Sequence, residues 1–185
     1  MALLNSQSLS LGSPAPDFNL PSVDGKSYQL RDFKDAKVLV VMFICYHCPY
    51  VQAVEDRILQ LHRDYRGKGV QLVGICSNDF IKYPDDAPKN LLKRWKEKEY
   101  GFPYLVDETQ EVAKAYEAVC TPDIYVYDQA RRLAYHGRID DNWQEPSKVT
   151  RHEIREAIDA LLQGKNLSSK QNPSMGCSIK WKMSS

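Results

Sequence analysis

The chain lacks a net charge of either sign, its 25 lysines and arginines nearly cancelling 24 aspartates and glutamates. No long-range field therefore draws in nucleic acid, an anionic membrane or a strongly charged substrate, and recognition has to be local. Long hydrophobic runs are also missing. The longest, Val38 to Ile44, falls far short of the ~20 residues needed to cross a bilayer. The opening segment MALLNSQSLSLGSPAPDFNLP has neither a basic start nor a sustained apolar stretch. It reads as neither a secretory signal nor a lipoprotein leader, so the expected setting is cytoplasmic, with no membrane or nucleic-acid partner. No internal repeat is visible, and the sequence does not specify an oligomeric state.

Cysteine is sparse. Five cysteines in 185 residues do not make a disulfide framework. A chain of this length buries roughly 70% of its unfolded surface and needs no covalent staple. In a reducing compartment such cysteines point to catalysis or metal binding. Two of them, Cys45 and Cys48, are three positions apart in FICYHCPYV. A second Cys/His pair at ligand spacing is missing, which argues against structural zinc and leaves the metal expectation at none. Cys76, Cys120 and Cys177 are scattered singly.

What is present has the periodicity of an α/β protein. Phe18 to Leu30, centred on Asp24-Gly25, reads as a hairpin with a two-residue turn. VLVVMFI is apolar on both faces, as in a central strand. After Pro49, Val51, Val54, Ile58, Leu61 and Tyr65 mark one face of a helix ending near Gly67. VQLVGICS is a second buried strand, giving a parallel βαβ unit. Further helices are expected from a cap at Asp86 through Tyr100, over Thr109–Ala118 with Asp107 and Gln110 as a capping pair, and over Thr150–Gln163 with Thr150 and Glu153 as a capping box. DIYVYD and LAYHGRI form a hairpin across QARR. The division expected is a domain over 1–164 and a tail over 165–185, docked by apolar contacts through Ile179 and Trp181.

Cys45 and Cys48 thus fall where a strand turns into a helix, where unpaired N–H groups and the helix dipole stabilise a thiolate. Two intervening residues let the sulfurs close a small ring. Cys45, nearer the strand end, is expected to be the exposed, low-pKa nucleophile, with Cys48 resolving. Pro49 suits a first helical turn. His47 is placed to favour a thiolate or to hydrogen-bond the sulfur. Cys120-Thr121-Pro122 opens a strand, and by base rate alone its X-Pro bond is expected to be trans. Cys177 is a third thiol to place near the site, paired with Cys120 or relaying electrons.

The order strand, Cys-x-x-Cys at a helix start, strand, helix, Thr-Pro, hairpin, helix resembles the thioredoxin fold. This implies a central mixed β-sheet flanked by helices, with an N-terminal β-hairpin extension. The leading GSPAPDFNLPSVDGKSYQLRDF resembles that extension in the alkyl hydroperoxide reductase/thiol-specific antioxidant (peroxiredoxin-like) branch. The blocks CxHCPYV, DETQEVAKAY, TPD, YHGRIDDN and GCSIKWK resemble those of bacterial thioredoxin-family and thiol-disulfide isomerase proteins. Carried over, the resemblance makes Cys45 and Cys48 the redox pair, with their disulfide as the only cofactor. It makes Pro122 a cis-proline opposite them, has Thr121 offer backbone to substrate, and brings Gly137 and Arg138 to the same surface.

Two departures matter. Where thioredoxins carry a buried proton-transferring aspartate this chain has Leu39, which leaves His47, Glu55 or water for that role. The Pro-x-x-x-Thr-x-x-Cys setting of peroxiredoxins is absent whichever cysteine is taken as reference. The expected activity is therefore thiol-disulfide oxidoreduction in redox homeostasis, on protein or small-molecule disulfides, with a thioredoxin- or glutathione-type electron donor. Thiol-dependent peroxidase action on peroxides ranks second. Copper-binding thiol chaperoning ranks third, because the position four after Cys48 is Gln52 and not a second cysteine.

Overall fold

The computed structural model describes residues 3–183, so the outermost two residues at each end of the expected domain and tail lie outside it. Its centre is β4 (Val38–Phe43), every side chain of which is buried. A strand of β-branched and large apolar residues with no polar face is stable only when covered on both sides. It pairs in parallel with β5 (Val70–Cys76), which pairs in parallel with β6 (Tyr104–Val106). On its other edge β8 (Asp123–Tyr127) runs antiparallel, followed by antiparallel β9 (Leu133–Gly137). The sheet is mixed, ordered β6-β5-β4-β8-β9.

The helices are α1 (Pro49–Tyr65), α2 (Pro88–Glu97), α3 (Glu111–Ala115) and α4 (Glu153–Leu162). Alternation along β4 splits the core into two layers. Val38, Val40, Met42 and Ile44 pack with Val51, Val54, Ile58 and Leu61 of α1, Leu91 of α2 and Ile154 and Ile158 of α4. Leu39, Val41 and Phe43 face Val112 and Ala113 of α3 and the N-terminal Phe18, Leu20 and Phe33. Each such side chain contributes about 1.5–3 kcal/mol by leaving water. This is the expected α/β architecture, a mixed sheet between helices with a hairpin extension.

Several local expectations are corrected. The hairpin joins β2 (Asn19–Pro21) to β3 (Ser27–Gln29) through a loop from Ser22 to Lys26, not a two-residue turn. Gly25 alone in it takes a positive φ, +85°. Asp86 does not cap α2: Pro88 occupies the first turn, Ala87 is the N-cap, and the helix ends at Glu97. Asp107 does accept the Val112 and Ala113 N–H groups of shortened α3. Gln110 does not reciprocate, its amide instead donating to the Ser77 and Lys180 carbonyls. The capping box of α4 is not formed, because Thr150 bonds Asp141 and Glu153 holds Arg138.

The tail enters the fold as a strand. β10 (Met175–Ser178) lies between β1 (Leu3–Asn5) and β7 (Cys120–Thr121), antiparallel to both. Backbone pairing holds it more than the expected apolar anchors do: Ile179 is buried, but Trp181 is 39% exposed. Gly176 makes the approach possible, since a Cβ there would lie 1.9 Å from the Thr121 carbonyl oxygen. Among the described residues no helix is long and apolar enough to cross a membrane.

Candidate active site

The two thiols stand at the C-terminal end of β4. Cys48 is the N-cap of α1 in an extended conformation, and Pro49 begins the helix. The Thr121–Pro122 bond is cis, as the resemblance implied and against the base-rate expectation. Thr121 meets both sulfurs: its Oγ1 lies 3.3 Å from Cys45 Sγ, and in the dithiol form Cys48 S–H donates to its carbonyl at 3.1 Å.

Cys45 does not carry the lowered pKa. Both sulfurs are buried, and their surroundings differ. The Cys45 thiol is pushed well up by burial, by its hydrogen bond to Cys48 and by the nearby negative charge of Asp86. Cys48 is brought down to about 5 by the hydrogen bond from Cys45, helped by Cys177, Thr121 and the Val51 N–H of the first helical turn, against the opposing effect of burial. The helix-start argument was right in kind, but helix α1 begins after the second cysteine. The two sulfurs share Thr121, whose hydroxyl meets Cys45 and whose carbonyl meets Cys48, and the pair titrates as a unit.

Asp86 completes the site, and local sequence patterns concealed it. It is wholly buried, and its Oδ1 accepts the backbone N–H groups of Tyr46 (2.8 Å) and His47 (3.2 Å). Its Oδ2 takes Asn78 Nδ2 (2.8 Å) and His47 Nδ1 (2.5 Å). Burial pushes the Asp86 carboxyl up, but these donors outweigh it and leave the group below its ordinary value. The same bond raises the His47 pKa, and Tyr83 stacks on the ring at 5.5 Å. A His47 ring nitrogen, an Asp86 oxygen and Cys45 Sγ all lie within 4.8 Å of one another. Such a trio could in principle hold a metal ion, but the Asp86 oxygens are already committed to four donors.

Other candidates are placed less directly. Glu55 is bound to Arg94 and to Tyr100 Oη at 2.6 Å, which removes it as a proton acceptor for the thiols. Leu39 packs in the opposite core layer. Arg138 is clamped by Glu153, and with Pro122, Tyr50 and Trp143 it lines a cavity of about 250 Å³ beside the cis-proline. Tyr50 and Trp143 meet there with ring centroids 4.3 Å apart and planes tilted by 42°. Cys120 is buried with a raised pKa, its S–H pointing to the Pro122 carbonyl at 3.8 Å. Cys177 does not pair with Cys120, which sits opposite Ser178; it lies opposite Thr121, and burial and the neighbouring Cys48 push its thiol pKa up.

Comparison with known proteins agrees with this geometry. Along its whole length the chain is 48% identical to a conserved protein of Geobacillus kaustophilus described as uncharacterized, of which 99% is covered, with a TM-score of 0.95. It is 26% identical over 123 residues to the thiol-disulfide oxidoreductase ResA of Bacillus thuringiensis, a match spanning 66% of each chain. A thioredoxin family thiol:disulfide interchange protein of Chlorobium tepidum shares the fold at a TM-score of 0.65 and 19% identity, over 83% of this chain and 99% of its own. Residues 11–136, the span from the N-terminal extension to the end of the central sheet, match the AhpC/TSA family. With Cys45, Cys48 and the cis-proline inside that span, the chain belongs to the AhpC/TSA family and has a thioredoxin-like fold.

Proposed function

We propose that the protein is a thiol-disulfide oxidoreductase in which Cys45 and Cys48 alternate between dithiol and disulfide. The observation that carries this reading is a thiol pair at a helix start, held on Thr121 beside the cis-proline. A thiolate is the attacking species in disulfide exchange. We therefore reverse the expected roles. Cys48 thiolate attacks one sulfur of a substrate disulfide, forming a mixed disulfide and expelling the other sulfur as a thiolate. Cys45 then loses its proton toward the adjacent His47–Asp86 pair and attacks Cys48 Sγ. The second substrate thiol is released and the Cys45–Cys48 disulfide forms. A thioredoxin- or glutathione-type dithiol or thiol donor returns the pair to the reduced state.

The cavity beside Pro122, with its Tyr50–Trp143 wall, suits an apolar side chain flanking a protein disulfide. Both sulfurs are enclosed, so substrate meets them once β10 or the Tyr46–Cys48 turn gives way. Cysteine usage supports a reducing, cytoplasmic setting in which such thiols persist.

Peroxidase action ranks below this. Polarising a peroxide bond calls for a positioned hydroxyl and a cation near the thiolate. Here Arg138, Arg94 and Arg57 are each committed to a buried carboxylate, Glu153, Glu55 and Asp140. Stopped-flow oxidation of reduced protein by oxidised glutathione and by hydrogen peroxide tests the ranking. Disulfide exchange should be the faster, and Cys48→Ser should abolish the first thiol release while Cys45→Ser keeps it. A peroxide reaction well above the disulfide one overturns the reading, and first release surviving only in Cys48→Ser overturns the roles.

A further inference from the structure

Strand β10 does more than close a sheet edge. It places Cys177 directly opposite Thr121, the residue whose carbonyl lies 3.1 Å from Cys48 Sγ. Gly176, beside it, is the position where only a missing Cβ lets the strand approach that carbonyl. Cys45, Cys48 and Cys177 belong to one buried cluster, and Cys177, opposite Thr121 in the ladder, shares the sheet face on which the Thr121 hydroxyl meets Cys45 Sγ at 3.3 Å. Cys48 is therefore flanked by two thiols, one from its own turn and one from the tail. An extended segment pairing with the edge at the cis-proline is also how a substrate strand would be read by main-chain hydrogen bonds. Here the chain supplies its own, with a cysteine at the register position facing the redox pair.

We propose that Cys177 is a second internal partner for Cys48, exchanging with the Cys45–Cys48 disulfide to give a Cys48–Cys177 disulfide and a Cys45 thiol. In that step a new S–S bond forms between Cys177 and Cys48 as the Cys45–Cys48 bond breaks. The proton lost by Cys177 is taken up by the leaving Cys45 sulfur, so no external oxidant or reductant is consumed. The exchange presupposes the oxidoreductase reading, which supplies the first disulfide. Its result is a tail strand covalently fastened over the site in the oxidised protein. Cys177 is buried, as the pair is, so the exchange takes place inside the closed site.

Peptide mapping tests this on the full chain. Reduced protein is treated with oxidised glutathione, quenched in acid, alkylated, and cut with trypsin without reduction. Cys45 and Cys48 share the peptide 38–57 while Cys177 lies in 171–180, so a Cys48–Cys177 bond joins two peptides. The joined pair should appear in wild type beside the internally bridged 38–57 peptide. It should become the main oxidised product in Cys45→Ser and be lost in Cys48→Ser. Adding Cys177→Ser to Cys45→Ser should replace it with a glutathione mixed disulfide on Cys48. Full alkylation of Cys177 in both wild type and Cys45→Ser, with the internal 38–57 bridge present in wild type, overturns the inference and leaves the oxidoreductase reading standing. A Cys45–Cys177 bond in Cys48→Ser overturns the assignment to Cys48. Absence of any bridge in wild type overturns the oxidoreductase reading itself.

Discussion

His47 and Asp86 are joined by a 2.5 Å hydrogen bond across 39 positions of sequence, and the pair stands beside the Cys45 sulfur. Its electrostatics have a defined pH window. Asp86 lies below the ordinary carboxyl value of ~3.9, so its share of stability is in place above that pH and is lost as pH falls through its folded value. His47 lies above the ordinary ~6.5, so its share is in place below that pH and is lost as pH rises through its folded value. Urea midpoints measured against pH should therefore fall off on both sides in wild type. In Asp86→Asn they should flatten and drop by about 1–3 kcal/mol of stability, because the N–H groups of Tyr46 and His47 lose a charged acceptor. NMR titration should show the His47 pKa falling in that variant, and an unmoved His47 would refute the coupling.

Thiolate absorbance at 240 nm gives a direct view of the Cys45–Cys48 thiol pair. Reduced protein should show one thiolate forming near pH 5, absent in Cys48→Ser. Cys45→Ala removes the largest favourable contact to that thiolate, so the midpoint should move up. Cys177→Ala should move it up by less. A midpoint near 5 that survives in Cys48→Ser would place the charge on Cys45.

Much of this was legible from local pattern. The uniform apolarity of Val38–Phe43 and the three-four spacing from Val51 to Tyr65 each reflect burial against a whole neighbouring layer, so β4 and α1 emerged as expected. Helix ends were less legible because their polar residues had stronger partners far away. Asp86, Thr150 and Glu153 all had cap-like positions, and each is used instead by a distant group, His47, Asp141 or Arg138. The start of α1 at Pro49 was legible, but the buried Asp86 beside Cys45 was not, because it arrives from a loop some forty residues downstream. The register that puts Cys177 opposite Thr121 has no local signature at all, since it is set by pairing between chain segments more than fifty residues apart.

Gly176→Ala tests the strand cover. The added Cβ would strike backbone and not a flexible side chain, so β10 has to move away from Thr121. Overpacking of this kind typically costs about 1–3 kcal/mol. Thermal unfolding should show a lower Tm, and brief iodoacetamide treatment should label Cys48 faster than in wild type. Faster labelling of Cys45 with Cys48 unchanged would mean that β10 is not what covers Cys48.

Trp143→Ala probes the cavity wall. Loss of its ring contact with Tyr50 should raise KM for a protein disulfide such as insulin about tenfold, equivalent to ~1.4 kcal/mol of binding. Oxidised glutathione, too small to fill the cleft, should be turned over at nearly the wild-type rate. Equal losses on both substrates would indicate a structural role for the tryptophan.

The tail strand also sets an order in time. A ribosome makes the Cys45–Cys48 turn long before it makes β10, and chains fold progressively as they emerge. Until residues 175–178 arrive to pair with β7, the nascent chain carries a thiol pair without its lid. Closure is thus an event of late synthesis, and an emerging polypeptide holds continuously open a thiol pair that the finished protein uncovers only when β10 or the Tyr46–Cys48 turn gives way.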